Sequence, residues 1–304
     1  MLENRKVFSG LADLPKGTAS RDLTPGCLVL EGGAFRGTYA AGVCDALMEA
    51  NLNLQSVAGV SAGALCGMNY VSGQIGRSAR INLAYRHDSR FVGKKAFLEN
   101  DGVIGFRFLF EDIRVSDPFD FDRFFDPARR FVAVATSCRT GQTEFFEKGK
   151  CSDIFRAVQA SASMPYVTKM VEVDGAPYLD GGCSMQLAYP WALEQGFEKI
   201  VMVRTRHRAF RKEIKQDKSF AERFYRNYPR FSMVVARQEE TYNKLCNDLD
   251  ALEESGRIFV IAPSVQMEIG RLEKDMEKLG SYYYLGYRDT KAALPALRQY
   301  LGVE

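Results

Sequence analysis

Short apolar runs alternate along this chain with longer stretches in which apolar positions recur every third or fourth residue. The first kind reads as buried strands and the second as helices with one face on a core. Strands are predicted at 27–31, 56–60, 131–138, 170–174, 177–180, 199–204 and 257–262. Helices are predicted at 36–50, 62–73, 151–163, 189–196, 217–227, 231–254, 271–280 and 290–301. Such alternation predicts an α/β fold, with helices on both faces of the sheet. Residues 85–130 break the pattern. They hold Gly93, Gly102, Gly105 and the aromatic-acidic stretch 117–125, and read as an insertion. Its phenylalanines either cap a pocket or simply pack onto the core.

Composition narrows the class. With 304 residues, 46% hydrophobic and 26% charged, the chain fits one large globular domain or a domain with a helical extension. A net charge of +3 carries no nucleic-acid signal, and no nucleic-acid partner is expected. Residues 1–24 are polar and lack the apolar centre of a signal peptide. No apolar run approaches the ~20 residues that span a bilayer. Seven cysteines form no C-x-x-C pair, which fits a reducing, cytoplasmic setting. Neither they nor the two histidines have metal-ligand spacing, so no metal and no cofactor is expected. Residues 204–230 carry ten Lys or Arg against three Asp or Glu, with Phe210, Phe220, Phe224, Tyr225 and Tyr228 interleaved. This stretch is either a solvated helix face or a peripheral contact with an anionic membrane, on the inner surface for a cytoplasmic protein.

Three blocks hold the chemistry. Gly59-Val60-Ser61-Ala62-Gly63 is a G-x-S-x-G placed between a predicted strand and a predicted helix, where a sharp turn lifts a serine hydroxyl to a helix N-terminus. Upstream, Glu31-Gly32-Gly33-Ala34-Phe35-Arg36-Gly37 joins a strand to a helix and offers unpaired backbone N–H groups to an anion. It departs from a P-loop, because Thr38 stands where the lysine belongs, and from a dinucleotide fingerprint, because Ala34 replaces the middle glycine. An oxyanion hole is the third reading. Downstream, Asp180-Gly181-Gly182 ends an extended segment. A serine, an anion-binding turn and an acid are the parts of an acyl-transfer site.

These blocks, in this order, resemble the patatin-like phospholipases. Ala160-Ser161-Ala162-Ser163-Met164-Pro165 is similar to that family's small-residue helix ending in proline. The likeness spans roughly residues 25–206. It implies a three-layer α/β/α sandwich with a mostly parallel central sheet and a small C-terminal α/β extension. Residues 1–24 would be an N-terminal segment and 207–304 a cationic helical segment and extension packed on the core. It further implies Ser61 as nucleophile, Asp180 as its only side-chain partner, and an oxyanion hole from the N–H groups of Gly32, Gly33 and Ala34. Arg36, Gly37, Gly59, Gly63, Gly181 and Gly182 would support them. Substrates would be fatty acyl esters: phospholipids, lysophospholipids or acylglycerols. The chain departs from the family at Ala34, which stands in place of a third glycine; a positive φ there would be strained by the Cβ.

Two alternatives remain open at this stage. Ser61, Asp180 and His207 follow the chain order of an α/β-hydrolase triad, and imidazole is the easier base at neutral pH. The same scaffold could also bind lipid without reacting. His87 reads as a surface residue, and Cys183 either lines the site or packs. In the tail, Gly286 is expected to end one element and Asp289 or Thr290 to cap the last helix.

Overall fold

A computed structural model describes residues 6–93, 95–96, 98, 104–214 and 216–303. Gly102 of the predicted insertion lies outside the described residues. Among the described residues the strands are β1 (Gly17–Thr18), β2 (Thr24–Leu30), β3 (Leu54–Val60), β4 (Gln74–Ile75), β5 (Arg130–Ser137), β6 (Thr143–Glu147), β7 (Val171–Val173), β8 (Ala176–Asp180), β9 (Ile200–Val203) and β10 (Phe259–Ile261). The helices are α1 (Gly37–Glu49), α2 (Ala62–Val71), α3 (Arg77–Tyr85), α4 (Phe121–Phe124), α5 (Ile154–Ser161), α6 (Tyr189–Glu194), α7 (Ser219–Phe224), α8 (Pro229–Ala236), α9 (Gln238–Glu254) and α10 (Met276–Leu301).

Eight strands form the central sheet in the order β10-β9-β2-β3-β5-β8-β7, with β6 joined to β5. From β10 to β5 every pairing is parallel; β6, β7 and β8 pair antiparallel. The parallel strands are buried on both faces, which is why they read as continuous apolar runs. Successive side chains alternate between two cores. Leu28, Leu30, Val57 and Ala133 face the core shared with α1, α2 and α10. Cys27, Val29, Ala58 and Val132 face the one shared with α6 and α9. The fold is the expected three-layer α/β/α sandwich.

Two features of the topology set the site. From β2 the chain moves to β3 on one side and returns through β9 on the other. The carboxyl end of β2 is therefore a switch point, where a crevice opens in sheets of this kind. The second feature is a strand-end meeting on β5. β3 covers one edge of β5 as far as Val134, and β6 occupies the other edge through Ala135 and Thr136. β8, pairing Asp180 with Ala135, has to take the edge that β3 vacates. The ends of β3 and β8 thus meet, which brings Ser61 to Asp180.

Several predicted elements need correction. The tail does not break at Gly286: α10 runs unbroken from an Asp275 cap, which accepts from the Glu277 and Lys278 amides, to Gly302. Gly286 is there for close packing instead. A Cβ on it would lie 2.2 Å from the Tyr39 carbonyl oxygen, and one on Gly42 2.1 Å from that of Tyr283. Asp289 is no cap but accepts from Tyr39 and Ser264, and Thr290 donates to Gly286 within the helix. The helix expected at 231–254 is divided at Arg237 into α8 and α9. α3, the edge strand β6 and the small β1–β4 pair were not predicted. α3 lacks a strong apolar face, and β6 is half-exposed along most of its length.

Candidate active site

Ser61 follows the last residue of β3 and precedes α2, with φ 56° and ψ −122°. For a non-glycine residue this conformation costs about 1–3 kcal/mol and persists only when the surroundings hold it. They do so from three sides. The Ser61 carbonyl accepts from the Ala64 amide at 2.9 Å as the first bond of α2. Its N–H donates to Ser161 Oγ at 2.8 Å. A Cβ on Gly59 would lie 2.5 Å from Ala64 Cα and one on Gly63 2.3 Å from the Leu30 carbonyl, so only glycine lets the turn close.

The Ser61 hydroxyl donates to Asp180 Oδ2 at 2.6 Å. The other carboxylate oxygen accepts from the Gly182 amide at 2.7 Å, and the Asp180 amide donates to the Ser163 carbonyl at 2.8 Å. Ser161 and Ser163, two residues apart in the small-residue block, thus brace the serine and the aspartate respectively. Their sequence signal was the block itself; nothing in it named these contacts. Gly181 packs where a Cβ would meet the Val134 carbonyl. Burial pushes the Asp180 carboxyl up to about 6, against the hydrogen bonds from Ser61 and Gly182 and the charges of Arg271 and Lys212, which pull it down.

The glycine-rich turn lies against the serine. A Cβ on Gly32 would be 2.9 Å from Ser61 Cβ, so the backbone passes as close as it can. Glu31 is buried and anchors the turn, accepting from the Thr205 amide and from Tyr242 Oη at 3.0 Å. Thr205 Oγ1 donates to the Gly32 carbonyl at 2.9 Å. Among the described residues, no protein acceptor is seen for the N–H groups of Gly32, Gly33 and Ala34. Gly33 has φ 155° and Ala34 has φ 51°. The strain expected at Ala34 is therefore present. Replacing Ala34 with glycine should raise stability by up to about 1 kcal/mol, the left-handed penalty less glycine's extra chain entropy. Thermal unfolding of Ala34→Gly checks this; a lower melting temperature would contradict it. Gly37 opens α1 where a Cβ would touch Ala62. Arg36 is buried beside the turn, and desolvation, then Arg206, lowers its guanidinium to about 10.

Ser61 stands where two cavities meet. One, about 70 Å³, is mainly apolar and is lined by Leu65, Ile81, Phe91, Leu109, Phe110 and Phe119 among others. The other, about 460 Å³, is polar and holds Asp180, Arg36, Lys212 and Arg271. The phenylalanines of the 85–130 insertion divide between both expected roles. Phe91, Phe110 and Phe119 line the apolar cavity, whereas Phe124 is fully buried against Phe131 and Phe155. Lys212 was not singled out by sequence. Burial and the neighbouring Arg271 lower its ammonium to about 8.

His207 is placed elsewhere. It lines a hollow with Gln266 and Glu268 that borders the polar cavity at Arg206 and Phe210, and its Nδ1 lies 3.3 Å from the Ala209 amide. His87 is exposed, with Nε2 at 2.9 Å from the Lys274 carbonyl. Cys183 is buried and also borders the polar cavity. Among the described residues no three His, Cys, Asp or Glu side chains gather as a metal site, and no helix is long and apolar enough to cross a membrane.

The site is thus a serine on a strained strand-to-helix turn of a mostly parallel α/β/α sandwich, bonded to a buried aspartate and facing a glycine-rich turn. The chain belongs to the patatin-like phospholipase family, whose model matches residues 28–190. Residues 228–302 match a second model, a domain of unknown function (DUF6363). The chain is 29% identical over 192 residues to the uncharacterized protein YjjU of Escherichia coli K12, covering 61% of this chain and 54% of that one. It is 28% identical over 158 residues to the uncharacterized NTE family protein Mb1092c of Mycobacterium bovis, covering 51% and 42%. The chain thus spans about half the length of the curated relatives it matches. Among solved structures, VipD from Legionella pneumophila superposes with a TM-score of 0.49 at 15% identity, over 97% of this chain and 72% of VipD.

Proposed function

We propose that this chain is a serine lipid acyl hydrolase working through Ser61 and Asp180. The observation that carries the reading is the 2.6 Å hydrogen bond between them at the junction of the apolar and polar cavities. The apolar cavity takes the first carbons of an acyl chain and the polar cavity the ester's polar portion. Ser61 Oγ attacks the ester carbonyl while Asp180 takes its proton, and the carbonyl oxygen becomes an oxyanion beside the Gly32–Ala34 amides. Collapse of the intermediate expels the alcohol, which takes the proton from Asp180. Water, deprotonated by the same carboxylate, then releases the fatty acid and restores Ser61. An aspartate near its reference pKa of about 3.9 is a weak base, and its burial here supports the role.

The substrates proposed are phospholipids, lysophospholipids or acylglycerols. Such lipids are met at a bilayer or micelle, so the reading includes peripheral contact with a membrane. Seven free thiols, six of them buried, fit a cytoplasmic setting at the inner surface.

The test is hydrolysis of p-nitrophenyl esters. A butyrate or longer ester should be turned over faster than the acetate, because only an acyl chain with added methylenes reaches into the apolar cavity. kcat/KM should fall as pH drops below about 6, since a protonated Asp180 cannot accept the serine proton. Saturable binding of the ester without turnover would instead favour a lipid-binding scaffold.

A further inference from the structure

We infer that helix α7 and the adjoining turn at 164–168 form a docking surface for an anionic lipid bilayer, at the mouth of the Ser61 chamber. The inference rests on the acyl hydrolase reading only in taking lipid as what that mouth must face. Phe220 and Phe224 are 62% and 52% exposed, and Val167 on the turn is 45% exposed. Phe220 and Phe224 are four residues apart and so share one helix face. Burying this much apolar surface is favourable only against something apolar.

The surface is joined to the site by Tyr166. Its ring packs on Phe220 at 5.1 Å, Phe224 at 5.2 Å and Tyr225 at 5.3 Å. Its amide donates to Tyr225 Oη at 2.7 Å, which holds a backbone with φ 71°. Together with Met164 and Pro165, Tyr166 also lines the polar cavity that contains Asp180. One aromatic residue therefore forms part of both the chamber wall and the exposed patch.

Charge selects the occupant. Four cations of the stretch 204–230 are engaged within the protein. Arg204 is fully buried, and Arg208, Arg211 and Lys218 pair with Glu253, Asp250 and Glu240. Arg223 and Arg226 are exposed and make no ion pair among the described residues. Arg223 lies between the two phenylalanines in the sequence and Arg226 two residues past Phe224, with Glu222 the single acid on α7. Half-exposed aromatics beside unpaired arginines suit a headgroup layer, where rings reach the acyl boundary and guanidinium groups meet phosphate. Three exposed apolar side chains fall well short of the roughly 20–30 residues a side of a stable protein interface.

The experiment is co-sedimentation of the full chain with vesicles of phosphatidylcholine alone and of phosphatidylcholine with phosphatidylglycerol. Binding should favour the anionic vesicles and weaken with salt. The double variant Phe220→Ser, Phe224→Ser should lower the partition coefficient on the order of tenfold or more, and Arg223→Glu, Arg226→Glu should abolish the preference for anionic lipid. Hydrolysis of a soluble short-chain ester should be unchanged in both, which also shows that they fold. Absence of wild-type binding to anionic vesicles, or undiminished binding by the phenylalanine variant, would overturn the inference. A concentration-dependent dimer that the same variant dissolves would assign the surface to a second copy and overturn it too. Vesicle binding that depends on these residues in a protein without ester turnover would uphold the surface while removing the hydrolase reading.

Discussion

Replacing Ser61 with alanine is expected to reduce ester turnover by a factor on the order of 10⁴ or more. Among the described residues the hydroxyl bonds Asp180 Oδ2, so its loss removes the attacking atom and one hydrogen bond to a buried carboxylate. Alanine keeps the Cβ, so φ 56° is no harder to hold than in the wild type. The Ser61 amide would still donate to Ser161 and its carbonyl would still start α2. Circular dichroism should therefore match the wild type, with the melting temperature changed by no more than the loss of one buried hydrogen bond, while kcat disappears. Turnover near the wild-type rate in a folded Ser61→Ala protein would remove Ser61 from the chemistry.

Asp180→Asn is expected to cost most of the activity and yet be stabilising. The Gly182 amide donates to one side-chain oxygen of residue 180, so an asparagine would turn its own carbonyl there and present its NH2 group to Ser61. The hydrogen bond to the serine would then run the wrong way, with no acceptor for its proton. Loss of a general base of this kind costs about 10²–10⁴-fold. Stability moves in the opposite direction. A carboxyl raised from 3.8 to about 6 favours the fold relative to its ionised form: that contribution is complete below 3.8 and lost as pH rises through about 6. Above pH 6 the wild type bears the cost of a buried carboxylate that the amide avoids. At about 1.4 kcal/mol per unit, the gain in Asp180→Asn is at most about 3 kcal/mol. Denaturant unfolding at pH 8 and at pH 3.5 checks the sign, with the variant ahead at the first and its advantage gone at the second. An Asn variant with wild-type kcat, or one less stable at pH 8, would contradict the account.

Much of this was legible along the chain, and the exceptions share a cause. The strands that end in Leu30, Val60 and Ile261 were readable because parallel strands buried on both faces need unbroken apolar runs. The turn at Ser61 was readable because the close approaches at Gly59 and Gly63 admit no side chain. Gly286 misled for the opposite reason. Glycine ordinarily weakens a helix, but here the Tyr39 carbonyl, some 250 residues away in sequence, requires it. Long-range contacts of that kind also hid the rest of the site. Ile81, Leu109 and Phe119 meet in one cavity only because the segment after α2 folds back over the serine. Lys212 and Arg271 come from stretches without a motif, and Ser161 was visible as part of a block but not as the acceptor for the Ser61 amide. The strain at Ala34 was a conditional expectation, and φ 51° supplied the condition.

The most direct measurement is mass spectrometry of the protein after exposure to a fluorophosphonate probe, which forms a stable adduct only with an activated serine. The account predicts one adduct, on the peptide that contains Ser61, missing from Ser61→Ala and formed far more slowly by Asp180→Asn. No adduct on the folded wild type, or one on another residue that persists in Ser61→Ala, would contradict it.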